Sequence, residues 1–60
     1  MNVAIYEKRI KIFAEANIEA LEKEVNEFIR NDSLKDVEIQ FRVDDEYVYA
    51  MVYYLAPLEV

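Results

Sequence analysis

The 60-residue chain has no cysteine, histidine, glycine, threonine or tryptophan, and one proline and one serine. Each absence removes a class of function. Without Cys no disulfide can staple the fold, and without Cys or His a zinc site is not expected. Histidine is the commonest general base near neutral pH, so acid–base catalysis loses its usual carrier. The lone hydroxyl candidate, Ser33, sits in the polar stretch Asn31-Asp32-Ser33 with no base beside it, and an unactivated nucleophile is weak. A phosphate-cradling loop needs glycine. The acids Asp44, Asp45 and Glu46 are contiguous, whereas a calcium loop spaces its ligands and turns on a glycine. They are expected to form a turn. The chain is therefore expected to be non-enzymatic, without catalytic residues, cofactor or metal. No apolar run approaches the roughly 20 residues that span a bilayer, and no signal-peptide core is seen at the start. A cytoplasmic protein, free of membrane, is the expectation.

Charge is what the chain has in excess. Thirteen acids face seven bases, for a net charge of −6. That field repels phosphate backbones, so direct nucleic-acid binding is disfavoured, and it attracts basic partners. The distribution is uneven. Residues 1–11 carry Lys8, Arg9 and Lys11 against Glu7 alone, and almost all the acids lie beyond them. An acidic surface also serves solubility.

Hydrophobic residues make up 55% of the chain, which argues for a packed fold rather than disorder. Residues 2–13 alternate β-branched and polar side chains and predict a strand. Val3 and Ile5 sit on the opposite parity to Ile10 and Ile12. The pattern therefore predicts a bulge near Glu7–Arg9, or two short pieces. Over residues 17–31, Ile18, Leu21, Val25, Phe28 and Ile29 share one helical stripe, with Glu19, Glu22, Lys23, Glu24, Asn26, Glu27 and Arg30 opposite. Asn17 is placed to cap this helix, and Asn31–Ser33 to end it. Residues 35–43 alternate strictly, with Val37, Ile39, Phe41 and Val43 on one face, as in a half-buried antiparallel strand. The turn Asp44–Glu46 lacks the glycine of a two-residue hairpin and predicts a longer loop. Residues 47–55 form a strand with no polar face: Tyr47, Tyr49, Met51, Tyr53 and Leu55 on one side, Val48, Ala50, Val52 and Tyr54 on the other. Pro57 lies beyond it and is expected to stop it.

The predicted fold is a single α+β domain of β-α-β-β order, one amphipathic helix on a small antiparallel sheet. One helix covers one face. Either the tyrosine row or Val48, Val52 and Tyr54 is then left in water, a patch that monomers rarely tolerate. Burying each such side chain returns about 1.5–3 kcal/mol, and a domain this small is marginal alone. A homodimer is the expected remedy. Val48, Val52, Tyr53 and Tyr54 are the expected interface, since tyrosine buries its ring while its hydroxyl finds a partner. The expected partner-binding residues are Glu19, Glu22, Glu24 and Glu27 on the helix and Asp44, Asp45 and Glu46 at the hairpin tip. A nucleotide cleft lined by Tyr with Lys8, Arg9, Lys11 and Arg42 is a rival use of the surface.

The segment KRIKIFAEANIEALEKEVNEFI, followed by VEIQFRV and YVYAMVYYL, resembles the small sporulation-associated Cse-type proteins of Bacillus and their phage and prophage relatives. The likeness lies in Leu21–Ile29 and in the run YVYAMVYY of Tyr47–Tyr54, and spans residues 9–55. It implies a β-α-β-β domain and no catalytic residues. The chain is also similar in size and character to short homodimeric phage proteins that counter Hachiman defence. From this, the expected function is a phage or prophage inhibitor that binds a basic host protein, such as a nucleic-acid-processing defence enzyme. The alternatives are a sporulation-associated structural or adaptor protein and a sponge for a nucleotide signal.

Overall fold

A computed structural model describes residues 5–58. The first strand, β1, runs Tyr6–Glu15, the helix α1 spans Ile18–Ile29, and the strands β2 and β3 are Lys35–Val43 and Val48–Pro57. The fold is α+β, in β-α-β-β order. The sheet is antiparallel with β3 in the centre, in the order β1-β3-β2. The all-apolar strand thus takes the one position flanked on both sides, and the mixed strands become edges. Edge positions suit charged side chains, which also discourage unwanted pairing.

Local chemistry sets the helix bounds. Asn17 is extended, and its side-chain oxygen accepts the backbone N–H of Ala20 at 2.8 Å. The Asn17 carbonyl accepts Leu21 N–H as the first helical bond. At the other end Asn31 Oδ1 accepts both the backbone N–H and the hydroxyl of Ser33, at 3.0 and 2.6 Å. This Asx turn competes with further helix and turns the chain back toward the sheet.

Several sequence expectations change. β1 pairs with β3 without interruption from Tyr6↔Pro57 to Glu15↔Val48, so no bulge lies at Glu7–Arg9. The parity conflict resolves because β1 is an edge. Its helix-side positions near the start carry Glu7, Arg9 and Lys11, which reach water, and Ile10 and Ile12 point to the other face. Val3, and the start of the strand expected from residue 2, lie outside the described residues. The strand also runs on to Glu15. The irregularity falls instead in β2, between Lys35 and Glu38, where Asp36 has φ 52°. Asp tolerates this left-handed region better than most residues because its short side chain bonds locally. The β2–β3 connection, residues 44–47, is longer than two residues, as expected. Pro57, expected beyond a strand of residues 47–55, is itself the last residue of β3, which runs Val48–Pro57.

Under the helix lies a small core. Leu21 and Val25 pack on Val48, Ala50 and Val52, with Phe13, Phe28, Ile39 and Tyr54 around them. Ala50 and Val52 are wholly inaccessible. Phe28 anchors the assembly, meeting Phe13 edge-on at 5.6 Å and Tyr54 edge-on at 5.2 Å. Such geometry aligns ring edges with ring faces and adds about 0.5–1.5 kcal/mol per pair beyond area burial.

Candidate functional site

The helix divides the sheet into a covered and an open face. The covered face of β3 carries Val48, Ala50, Val52, Tyr54 and Ala56, and the open face carries Tyr49, Met51, Tyr53, Leu55 and Pro57. Three of the four expected interface residues are therefore displaced. Val48 and Val52 are buried beneath α1, and Tyr54 is half-buried against Phe28. Only Tyr53 lies on the open face. The choice follows from size and polarity. Two valines and an alanine make a shallow floor that lets the helix approach. A tyrosine row there would bury hydroxyls beneath an apolar stripe without partners, at about 1–3 kcal/mol each.

On the open face, β1 contributes Ile10 and Ile12, which pair with Tyr53 and Met51. Ile12 is 59% exposed, Ile10 49% and Tyr53 37%. These form a contiguous apolar strip. Charged residues border it: Lys8 and Lys35 share the row of Leu55, Glu38 the row of Tyr53, and Arg42 the row of Tyr49.

Apolar surface also remains on the helix side. α1 sits over β1 and β3, and of β2 only Ile39 reaches the core, leaving the Phe41–Val43 end uncovered. Phe41 and Val43 are 66% and 71% exposed. With Ile18, Leu21 and Val48 they line a cleft of about 280 Å3. Ile18, expected on the buried stripe, stands at its exposed edge.

The helical acids are all exposed and spread across the solvent side of α1 from one flank of the buried stripe to the other. Glu22 flanks the buried stripe on the β2 side and borders the cleft. Glu24 flanks it on the β1 side, where a hydrogen bond to the Glu15 carboxyl raises its pKa above the ordinary glutamate value, aided by partial loss of water and by repulsion from Glu15 and Glu27. Glu15 escapes sequence reasoning because alternation is lost after Phe13, so the strand was not expected to reach it. Glu19 borders a shallow depression with Ala16, Asn17 and Val48. Because Glu15 pairs with Val48, the helix N-terminus and the β2–β3 hairpin share one end of the molecule. Glu15, Glu19, Asp45 and Glu46 thus lie toward the same end of the molecule, with the Glu15 carboxyl turned to Glu24.

Asp44 has a different task. Its Oδ1 accepts the backbone N–H groups of Glu46 and Tyr47 at 2.9 and 2.8 Å, and its Oδ2 accepts the Tyr49 hydroxyl at 3.0 Å. The bonds to Tyr47 and Glu46 hold its carboxyl below the usual aspartate value. The same carboxylate raises the Tyr49 phenol. Asp44 builds the turn that presents Asp45 and Glu46.

The bases do not converge. Arg9 is engaged by Glu7 of the same strand, which raises its pKa. Lys11 lies on the helix side, 5.7 Å from the Phe13 ring centre. Lys8 and Arg42 flank Leu55 and Tyr49, six residues apart on β3, or about 20 Å at the rise of an antiparallel strand. A depression of about 350 Å3 beside Lys8, Arg9 and Tyr53 is also lined by Asp36 and Glu38, which oppose a phosphate there. Ser33 is tied to Asn31. Among the described residues, no three acidic side chains are grouped to hold a metal ion, and no helix is long and apolar enough to cross a membrane. No protein-family model, curated protein or solved structure matches this chain.

Proposed function

We propose that this chain is a non-enzymatic binding protein that works as a homodimer and presses an acidic pole against a basic surface of a host protein. The observation that carries the reading is that the hairpin acids Asp45 and Glu46 and the helix N-terminus with Glu19 lie at the same end of the molecule. Asp44 holds that tip in shape through three hydrogen bonds. Pre-ordered like charges raise the local field, speed encounter with a basic surface and make association salt-dependent. The apolar strip on the open face supports self-association, because large contiguous apolar patches on monomers are rare.

The biological setting we propose is a phage or prophage inhibitor of a bacterial anti-phage defence protein. The resemblance of Leu21–Ile29 and Tyr47–Tyr54 to small Bacillus and phage proteins supports it. A basic groove that handles nucleic acid is the kind of surface a rigid acidic pole fits. Cells carrying individual defence systems, challenged with phage in the presence of this protein, test the proposal. Restored plaque formation in one system is expected, lost in the combined variant Glu19→Lys, Asp45→Lys, Glu46→Lys. Unchanged protection across the panel overturns the inhibitor reading.

A further inference from the structure

We propose that the open sheet face is where two copies of this chain pair, face to face, about a two-fold axis that crosses the strands over Ile12 and Met51. This rests on the homodimer of the proposed function and specifies its geometry. Open-face residues lie in rows across the sheet: Lys8, Leu55 and Lys35, then Ile10, Tyr53 and Glu38, then Ile12, Met51 and Gln40, then Ala14, Tyr49 and Arg42. A two-fold along the Ile12–Met51–Gln40 row lays each strand antiparallel over its own copy. Ile12 then meets Ile12 and Met51 meets Met51, while Tyr53 faces Tyr49. At the β2 edge Glu38 of one copy faces Arg42 of the other, and symmetry repeats that pair. One row further out, Lys35 faces the row of Tyr47 and Asp44, which closes the hairpin.

Other axes fit worse. Shifting the axis one row, to Tyr53, sets Glu38 against Glu38. Shifting it half a row sets Lys35 against Arg42 in one direction and Glu38 against Asp44 in the other. Running it along β3 sets Lys8 against Lys35. Only the first arrangement matches apolar with apolar and opposite charge with opposite charge. Sheets packed in this way lie about 10 Å apart and cross at about 30°. One row from the axis that rotation displaces facing positions by about 3 Å, within the reach of an arginine. The helices then lie on the outside, and the acidic poles lie at opposite ends of the dimer, each hairpin bordering the contact beside Lys35 of the other copy.

Charge exchange tests the register. Sedimentation equilibrium gives the dimer Kd of the wild type, Glu38→Arg, Arg42→Glu and the double exchange. Each single exchange places like charges opposite one another twice per dimer, and weakening of about tenfold or more is expected. The double exchange restores opposite charges and is expected to recover most of the wild-type affinity, which a merely misfolded variant does not do. A double exchange no tighter than the singles overturns the proposal. So does a dimer indifferent to all three changes and dissociated by Phe41→Glu, in which case the homodimer stands and its interface is the β2 side. A wild type that remains monomeric to high micromolar concentration overturns both the homodimer and this geometry.

Discussion

The Tyr49 hydroxyl donates to the Asp44 carboxylate at 3.0 Å, so the open sheet face and the acidic hairpin tip are tied together by one hydrogen bond. The same carboxylate caps two backbone N–H groups of the loop. The proposed self-association patch and the proposed partner-binding pole therefore share one structural support.

Removing that support should loosen the tip. Asp44→Ala is expected to lower the melting temperature more than Asp45→Ala or Glu46→Ala, because the Asp44 carboxylate accepts the three hydrogen bonds that shape the turn, as followed by circular dichroism. The pH dependence has a definite sign. The folded pKa of Asp44 lies below its unfolded value, so its contribution is complete above about pH 4 and is lost as pH falls through the folded value. The wild-type and Asp44→Ala melting curves should draw together in that acidic range.

Glu24 should show the opposite sign. Its folded pKa is raised by Glu15, so its ionised form opposes folding above that value. Glu24→Gln is expected to raise the melting temperature at pH 7. The gain should vanish as pH falls through the folded value toward the ordinary glutamate range. A gain that persists undiminished at pH 3 would refute the Glu15 contact as its cause.

Burial separates the helix positions. Leu21 is 3% exposed and Ile18 59%. Leu21→Ala is expected to cost about 2–5 kcal/mol in urea denaturation, a large fraction of what so small a domain has. Ile18→Ala, at the rim of the cleft, should cost far less.

Asn17 carries the helix start. Its side chain accepts the Ala20 N–H, and Asn17→Ala is expected to cost about 1 kcal/mol. Asn17→Ser or Asn17→Asp should recover most of it, because both keep the accepting oxygen.

The left-handed residue in β2 makes a last prediction. Asp36 at φ 52° suits glycine sterically. Asp36→Gly should leave stability unchanged or improve it by up to about 1 kcal/mol, whereas a β-branched Asp36→Val should destabilise. Thermal melts of the two variants decide.

Much of this was legible locally. The stripe Leu21–Val25–Phe28, the Asn17 cap, the Asn31–Ser33 stop and the alternation of residues 35–43 each reflect forces within a few residues, and the structure shows helix and strand there. The bulge at Asp36 left no local mark, since an aspartate between Lys35 and Val37 also reads as ordinary alternation. Glu15 was hidden because the β1 pattern is set by β3, 33 residues away at Val48.

The candidate surfaces divide in the same way. An excess of acid and one helix too few for a two-faced apolar strand are properties of composition and period, so the chain itself determined them. Which face the helix takes is a tertiary matter. Both faces of residues 47–55 are apolar, and periodicity cannot rank them. Packing can: Val48, Ala50 and Val52 let the helix come close, and the tyrosine row keeps its hydroxyls in reach of water and of Asp44. That selection moved Val48, Val52 and Tyr54 into the covered side and left Ile10, Ile12, Met51 and Tyr53 on the open one.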